Sequence, residues 1–162
     1  LPLATRPGNV APAILEFLME HEKLSAGEVI DILNKKSGML GISGVSSDFR
    51  DLDTAIEDGN EQAALAKDMF NISVKKTIGS YIAAMGGVDA IIFTAGVGEN
   101  GPDTRANVVS GLEFMGVKID PEKNKTRGVE AEVQADDSKV KIFVIPTNEA
   151  LMIAKDTAAL AR

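Results

Sequence analysis

Three glycines in the second half of the chain have a spacing suited to a ligand that carries phosphate. Gly96, Gly98 and Gly101 follow a short apolar run and stand directly before Pro102, a residue typical of the first helical turn. Glycines let the backbone approach a ligand closely, and N–H groups at a helix start favour anions. The spacing also matches G-x-G-x-x-G with Asp120 about twenty residues further on, a dinucleotide fingerprint. A phosphate-approaching loop, a dinucleotide site and a purely structural turn therefore stay open.

A second segment combines a carboxylate, an aromatic ring and a guanidinium group. Asp48, Phe49 and Arg50 stand together at the predicted start of a helix. Such a set can bind a ribose and the face of an adenine ring, because carboxylates accept hydroxyl hydrogen bonds and aromatic and guanidinium planes stack. Ser47 or Asp48 can equally serve only as the N-cap of that helix.

A carboxylate also follows the second predicted strand. Glu149 comes after Pro146, Thr147 and Asn148. At the carboxyl end of a parallel strand it would face the usual ligand crevice, where it can bind Mg²⁺ directly or through water. Alternatively, Asn148 caps the following helix and Glu149 is only stabilised by the helix dipole. Arg6, in the loop before the first helix, by itself predicts no more than a solvated side chain.

The order of the predicted elements is that of an α/β protein. A strand, a glycine loop and a helix are followed by a strand, a loop and a helix, and parallel strands need such crossovers. The sheet is thin, so part of it is expected to be absent from this chain. Helix starts are predicted at Asn9, at the capping box of Ser25 and Glu28, and at Asn60 and Asn148. Residues 35–47 are predicted to be a loop, and the strands at 89–94 and 140–145 are expected to be buried. The predicted helices span residues 9–20, 25–34, 49–58, 60–85, 102–115 and 149–162, and the predicted strands span 89–94, 117–119 and 140–145.

The composition excludes several kinds of site. The 162 residues contain no cysteine and only one histidine, His21, so disulfides, thiolate metal sites and multi-histidine metal sites are excluded. A net charge of −7, with six Phe, one Tyr and no Trp, argues against nucleic acid as the main partner. No apolar run reaches the ~20 residues of a membrane span. No signal peptide is predicted, so no membrane partner and a cytoplasmic location are expected.

Six motifs in one order, with characteristic gaps, together resemble the C-terminal portion of the acetate kinase (acetokinase) family. The resemblance covers essentially the whole chain, and Phe-Thr-Ala-Gly-Val-Gly-Glu-Asn at 93–100 with Asn-Lys-Lys-Ser-Gly at 34–38 is specific in combination. It implies an α/β fold that is part of the second domain of an actin-like ATPase (ribonuclease H-like) fold, helix-rich, with a short, mostly parallel sheet whose first strands are missing. Residues 1–162 would then be a single partial domain, the C-terminal nucleotide-binding portion of a two-domain kinase. The motifs are residues 34–44, 47–52, 84–89, 93–100, 111–117 and 144–149.

The resemblance also implies an activity. Members transfer a phosphoryl group between ATP and acetate, giving acetyl phosphate and ADP with Mg²⁺, and they form homodimers. Propionate or butyrate kinase stays open as an alternative, because the residues that shape the acyl pocket lie in the N-terminal part of the family. A dinucleotide-binding (Rossmann) oxidoreductase domain and a non-catalytic regulatory fragment also stay open. A fragment without the N-terminal domain is expected to be inactive.

The resemblance assigns a role to each candidate residue. Arg6 matches the arginine that stabilises the transition state, and Glu149 matches a magnesium ligand. The residues matched to nucleotide binding are Asp48, Phe49 and Arg50 for the adenosine, with Gly96, Val97, Gly98, Glu99 and Asn100 in the glycine loop.

Three departures from the family pattern affect these assignments. Ala4 stands where the family has glycine, and residues 7–9 replace its Ser-Gly-Asp. The family motif therefore does not define the backbone conformation around Arg6 in this chain. Ala150 replaces the second glutamate of the last motif, so only Glu149 is carried over.

Overall fold

The computed structural model describes residues 1–161, which divide into two compact units, the first from Leu1 to Tyr81 and the second from Ile82 onward. The assignment of residues 1–162 to one partial domain of a longer kinase stays a prediction. None of the helices in the described part of the chain is long and apolar enough to cross a membrane. The described helices are α1 (Ala13–His21), α2 (Ala26–Lys35), α3 (Gly38–Ser43), α4 (Phe49–Glu57), α5 (Glu61–Met85), α6 (Ala95–Asn100), α7 (Pro102–Val109) and α8 (Glu149–Leu160), and the strands are β1 (Ala90–Phe93), β2 (Ala131–Glu132) and β3 (Lys141–Val144).

The core of the first unit forms where α3, α4 and α5 each contribute apolar side chains. Met39 of α3, Leu52 of α4, and Ala63 and Ala66 of α5 are completely buried. The small side chains on α5 allow Met39 and Leu52 to fill the space beside that helix. Burial of Met39 and Leu52 contributes about 1.5–3 kcal/mol each to folding.

Helix starts with caps close in sequence are predicted correctly. The Glu28 backbone N–H donates to Ser25 Oγ (3.3 Å) and the Ser25 N–H donates to Glu28 Oε2 (2.8 Å), which completes the capping box of α2. Asn60 Oδ1 accepts from the Ala63 N–H (3.0 Å) at the start of α5. Each cap satisfies backbone donors that have no partner inside the helix.

The prediction of a loop at residues 35–47 is wrong, because α3 lies within it. The Met39 N–H donates to Leu3 O (2.8 Å) and the Leu40 N–H donates to Ala4 O (3.1 Å). The first turn of α3 is therefore satisfied by a segment that is distant in sequence and not by a local cap. Neighbouring residues in the sequence carry no sign of these partners.

Two further helix predictions need correction. Asn9 does not cap α1, which begins at Ala13 after Pro12 and has no side-chain cap. The helix predicted at 102–115 ends early, because Ser110 (φ −54°, ψ +131°) leaves the helical conformation and Gly111 has φ +81°, so α7 stops at Val109. A separate 3₁₀ turn follows at Glu113–Met115.

The sheet of the second unit has the order β1-β3-β2. Strands β1 and β3 are parallel, with Ala90 opposite Lys141 and Phe93 opposite Val144, and β2 is antiparallel to β3. The two longer strands are where the sequence predicts them. The third is not, because β2 replaces the strand predicted at 117–119, where Ile119 forms only an isolated bridge.

Strand β1 is buried on one face only. Ile91 and Phe93 are buried, whereas Ile92 between them is 56% exposed. The continuous apolar run predicted burial, as in a sheet covered on both faces. The structure shows instead an edge strand with one uncovered apolar face.

Candidate functional site

An open cleft of about 420 Å³ lies in the second unit where β1 and β3 end. The Ile145 N–H donates to Phe93 O (2.9 Å), so the two parallel strands stay paired up to the cleft. The carboxyl ends of parallel strands are the usual place for a ligand in an α/β sheet. The cleft is lined by Ala95, Gly96, Glu99, Thr147, Asn148, Glu149 and Ala150.

The glycine loop is not a loop but the short helix α6. It begins at Ala95, whose φ of +59° is uncommon for a residue with a side chain. Gly98 packs on β1, because an added Cβ would lie 3.2 Å from the carbonyl carbon of Phe93. Gly96 has no atom within 4 Å of an added Cβ and faces open space. Gly101 is the N-cap of α7, as predicted from Pro102.

Hydrogen bonds join the start of α6 to the segment that leads into α8. Thr94 Oγ1 and Thr147 Oγ1 lie 2.9 Å apart, and the Ala95 N–H donates to Thr147 Oγ1 (3.2 Å). The Thr147 N–H donates to Glu99 Oε1 (2.6 Å). One carboxylate oxygen of Glu99 thus ties the two walls of the cleft together. Thr94 and Thr147 both lie within the family motifs, but sequence reasoning assigned neither of them a role.

Glu149 lies at the start of α8 with its side chain exposed to the cleft. Asn148 Oδ1 accepts from the Leu151 N–H (3.0 Å), so the predicted cap is confirmed. Capping occupies the Asn148 oxygen and leaves the Glu149 carboxylate available in the cleft. The magnesium-ligand role of Glu149 stays a prediction.

In the first unit, Asp48 and Arg50 bind each other. Asp48 Oδ1 accepts from the Arg50 backbone N–H (2.9 Å) and from Arg50 Nε (3.0 Å), and Asp48 Oδ2 lies 2.6 Å from Arg50 Nη2. The hydrogen bonds from the Arg50 side chain and backbone lower the pKa of Asp48 to about 2. Asp48 is thus the N-cap of α4 and stays ionised at neutral pH. The adenosine role of the pair stays a prediction.

The Phe49 ring contributes to the core of the first unit. Its centroid lies 4.8 Å from that of Phe70 with an interplanar angle of 72°, an edge-to-face contact. Phe49 is half-buried beside Met39 and Leu52. Packing therefore explains its residue type, and an additional contact with adenosine stays a prediction.

Arg6 combines a fixed backbone with an exposed side chain. The Leu3 N–H donates to Arg6 O (2.9 Å), and Thr5 Oγ1 donates to Asn34 O (2.9 Å). An added Cβ on Gly38 would lie 2.6 Å from Arg6 O, so the segment rests directly on the start of α3. Within residues 1–161 no hydrogen bond or ion pair engages the guanidinium group. With Pro7, Gly8 and Asn9 in place of the family's Ser-Gly-Asp, the segment is attached to α3 by these contacts.

The candidate residues are distributed over both units. Arg6 and residues 48–50 belong to the first unit, and the cleft with α6 and Glu149 belongs to the second. Each group is held by contacts within its own unit.

The helix-rich fold, with a small mixed sheet and a cleft at the carboxyl ends of its parallel strands, is that of part of an actin-like ATPase domain. It is similar to the crystal structure of Porphyromonas gingivalis acetate kinase, with a TM-score of 0.93 and 48% identity, covering all of this chain and 41% of that one. The profile of the Acetokinase family matches residues 1–155, and the chain belongs to that family. The predicted resemblance and fold class are thereby confirmed, and the family match decides against the dinucleotide-binding alternative.

Two other relatives bear on the function. Acetate kinase of Thermoanaerobacter pseudethanolicus is 60% identical over all of this chain, which corresponds to 41% of that protein. A propionate kinase from Francisella tularensis is 37% identical with a TM-score of 0.86, covering 95% of this chain and 39% of that structure. The chain thus spans about two fifths of the length of the curated relatives it matches.

Proposed function

We propose that this chain is the C-terminal, nucleotide-binding portion of an acetate kinase. The whole enzyme would transfer a phosphoryl group from ATP to acetate, giving acetyl phosphate and ADP, and would run the reverse reaction. The observation that carries the proposal is the cleft at the strand ends, where Gly96 and the Glu149 carboxylate are both exposed in a member of the acetokinase family.

The cleft supports a role in binding the phosphate chain. Gly96 has no side chain and open space before it, so a phosphate can approach the backbone of α6. The other residues proposed for this loop, Val97, Gly98 and Asn100, would act through the backbone of α6. The Asn100 side chain is already engaged there, because its Nδ2 donates to Gly96 O (3.1 Å). Glu99 would hold the cleft wall through Thr147. In the first unit, Asp48 and Arg50 would present polar groups to the adenosine.

Mg²⁺ is the metal that the family implies, and Glu149 fits it as a single carboxylate ligand. Among the residues that the structure describes, no group of three or more His, Cys, Asp or Glu side chains could hold a metal ion. Mg²⁺ commonly uses one or two carboxylates together with water and substrate phosphate oxygens. Glu149 would hold the ion, which when bound neutralises charge on the phosphate oxygens.

Arg6 would act on the phosphoryl group during transfer. Phosphoryl transfer depends mainly on positioning and charge stabilisation. A guanidinium that hydrogen-bonds the equatorial oxygens more strongly in the transition state than in the ground state lowers the barrier. The chain has no cysteine and its one histidine, His21, lies at the end of α1, so direct in-line transfer is the simpler mechanism.

The test is a hybrid enzyme in which this chain replaces the matching segment of the Thermoanaerobacter pseudethanolicus acetate kinase. We expect the hybrid to form acetyl phosphate at a rate of about 10 s⁻¹, a typical enzyme value. The 162-residue chain alone should give no turnover, because we expect the groups that bind acetate opposite Arg6 to belong to the part of the longer relatives that this chain does not cover. Hydroxamate trapping of acetyl phosphate measures the rates of the hybrid and of the isolated chain. An inactive hybrid, or an isolated chain as fast as the hybrid, would contradict the proposal.

A propionate kinase is a second candidate, favoured by the Francisella structure. The acyl pocket lies outside this chain, so the hybrid cannot distinguish the two acids. The ratio of kcat/KM for acetate and propionate, measured on the natural full-length protein, decides between them.

The isolated chain should bind nucleotide weakly, with ADP and ATP almost equal. The residues proposed for the adenosine and the first phosphates are present, whereas the rest of the enzyme is needed to hold the terminal phosphate. We expect dissociation constants of about 0.1 mM or weaker, near −5.5 kcal/mol. Gly96→Val should abolish binding, because its side chain would fill the open space before α6.

Titration calorimetry with ADP, ATP and GTP measures the dissociation constants of the isolated chain and of its Gly96→Val variant. Gly79→Val is a matched control, since Gly79 also lies in a helix with no atom within 4 Å of an added Cβ. If GTP bound as tightly as ATP, the proposed contact of Asp48 and Arg50 with the adenosine would be refuted. A strong preference for ATP over ADP would mean that this chain also contacts the γ-phosphate.

We further propose that the protein forms a homodimer and associates with the N-terminal part that its longer relatives possess. Edge strand β1 with exposed Ile92, and α8 with exposed Leu151, Met152 and Ile153, are apolar surfaces of the kind that associate. Sedimentation velocity at ~100 μM should show self-association of the chain. A monodisperse monomer at that concentration speaks against this proposal.

A further inference from the structure

Arg105 of α7 is completely buried, and all five of its N–H donors point at oxygen acceptors. Nη1 lies 2.7 Å from Gly98 O and 3.0 Å from Glu99 O. Nη2 lies 2.7 Å from both Asn124 O and Thr126 O, and Nε lies 2.8 Å from Asn124 Oδ1. A guanidinium group has five such donors, so its hydrogen-bonding capacity is fully used.

Two of these acceptors belong to the carboxyl-terminal end of α6. The last carbonyls of a helix have no partner inside it, and a helix of six residues is too short to be stable alone. Arg105 satisfies Gly98 O and Glu99 O, and the Arg127 side chain donates to Asn100 O. A positive charge at this end also interacts favourably with the helix dipole.

The other acceptors join Arg105 to the segment that contains Asn124 and Thr126. Asn124 is itself buried, and its Nδ2 donates to Pro102 O (2.8 Å) at the start of α7. Arg105 thus connects α6 to a segment that is itself hydrogen-bonded to the start of α7.

Stability alone is a poor explanation for this arrangement. All five acceptors are uncharged oxygens, so the guanidinium has lost its hydration without gaining a carboxylate partner within residues 1–161. Burial and the positive charge of Arg127 lower the pKa of Arg105 from its ordinary value. A buried charge without a counter-ion costs free energy, and apolar side chains often serve a core better. A requirement for a fixed α6 explains the position of the charge.

We propose that Arg105 is the positioning residue of α6, and that its five hydrogen bonds fix Gly96 and Glu99 at the edge of the cleft. The consequence for nucleotide binding rests on the proposed function. The consequence for α6 itself does not, because it follows from the contacts alone.

Hydrogen exchange of the 162-residue chain tests the effect on α6. Arg105→Lys keeps a positive charge but loses the planar fork, so the amides of residues 98–101 should exchange at least about ten times faster. Val117→Ala is the control: Val117 is equally buried in the same unit but outside the cleft. It should not accelerate these amides selectively. Equal acceleration in the two variants overturns the proposal.

Asn124→Ala keeps the test decisive if Arg105→Lys does not fold. It removes the side-chain acceptor of Nε and the bond to Pro102 O while leaving the four other acceptors of Arg105 in place. We expect a smaller acceleration at the same amides. Unchanged exchange at residues 98–101 in a folded Asn124→Ala chain overturns the proposal.

Kinetics of the hybrid enzyme test the effect on the site. Arg105→Lys should raise KM for ATP about tenfold and leave KM for acetate within about twofold, because only the nucleotide side of the site is displaced. A purely structural role would lower the amount of active enzyme and leave both KM values unchanged, and that result overturns the proposal for the site. An inactive wild-type hybrid would refute the proposed function, while the exchange experiment still decides the role of Arg105.

Discussion

Arg6→Ala in the hybrid enzyme is expected to lower kcat by about 10³- to 10⁵-fold, the range for arginines that stabilise phosphoryl transfer. KM for ATP should change little. The Arg6 guanidinium is exposed while its backbone is fixed by hydrogen bonds, which suits a group that engages a ligand only during the reaction. An interaction made mainly in the transition state appears in kcat and not in KM. Steady-state kinetics with ATP and acetate as varied substrates measure both constants.

Arg50→Ala is the matched control for this experiment. Arg50 is also exposed and belongs to the same unit, but it is proposed to contact the adenosine, which does not change during transfer. Its loss should raise KM for ATP and leave kcat nearly unchanged. If Arg6→Ala gave the same pattern as Arg50→Ala, Arg6 would only bind the ground state and its catalytic role would be refuted.

A large loss of folding stability is expected for Gly38→Ala at the start of α3. Gly38 has φ +59°, and an added Cβ would lie 2.2 Å from Leu3 O and 2.6 Å from Arg6 O. A side chain therefore imposes the left-handed strain of about 1–2 kcal/mol and also displaces the segment that carries Arg6. We expect a total destabilisation of at least about 3 kcal/mol, seen as a lower urea midpoint of the isolated chain.

Gly44→Ala separates the two contributions. Gly44 ends the same helix with φ +67°, but no atom lies within 4 Å of an added Cβ. This variant should show the left-handed strain alone. In the hybrid, Gly38→Ala should also lower kcat, whereas Gly44→Ala should not. Equal urea midpoints for the two variants would mean that the chain accommodates a methyl group beside Leu3 O.

The elements that could be predicted from sequence are those whose determinants are local. The capping box of α2, the Asn60 and Asn148 caps and the apolar runs of β1 and β3 all act within a few residues. The two helices that sequence analysis missed, α3 and α6, are short and depend on distant partners. The first turn of α3 is satisfied by Leu3 O and Ala4 O, and α6 is held by Thr147 Oγ1 at its start and by the Gly128 N–H at its end.

In the candidate site, too, the features set by neighbouring residues were predicted and those set by tertiary contacts were not. The positions of Asp48 and Glu149 at helix starts followed from cap and strand patterns. Gly96 has open space before it, and its nucleotide-binding role stays a prediction. Other features depend on side-chain conformation and tertiary contact, which a sequence pattern does not define. These are the bonds between Asp48 and Arg50, the packing of Phe49 on Phe70, and the hydrogen bond from Thr147 to one Glu99 oxygen. Arg105 gave no signal, because burial of a charged residue cannot be read from a single sequence.

The attachment of Leu3 and Ala4 to α3 makes the first residues of the chain part of the cooperative folding unit. Removal of residues 1–8 would deprive the Met39 and Leu40 amides of their acceptors and leave α3 without a start. Because Met39 lies at the centre of the core with Leu52, this loss would reach α4 and α5. A boundary chosen for recombination or truncation therefore has to lie before Leu3, although this stretch has neither helix nor strand and looks dispensable in the sequence.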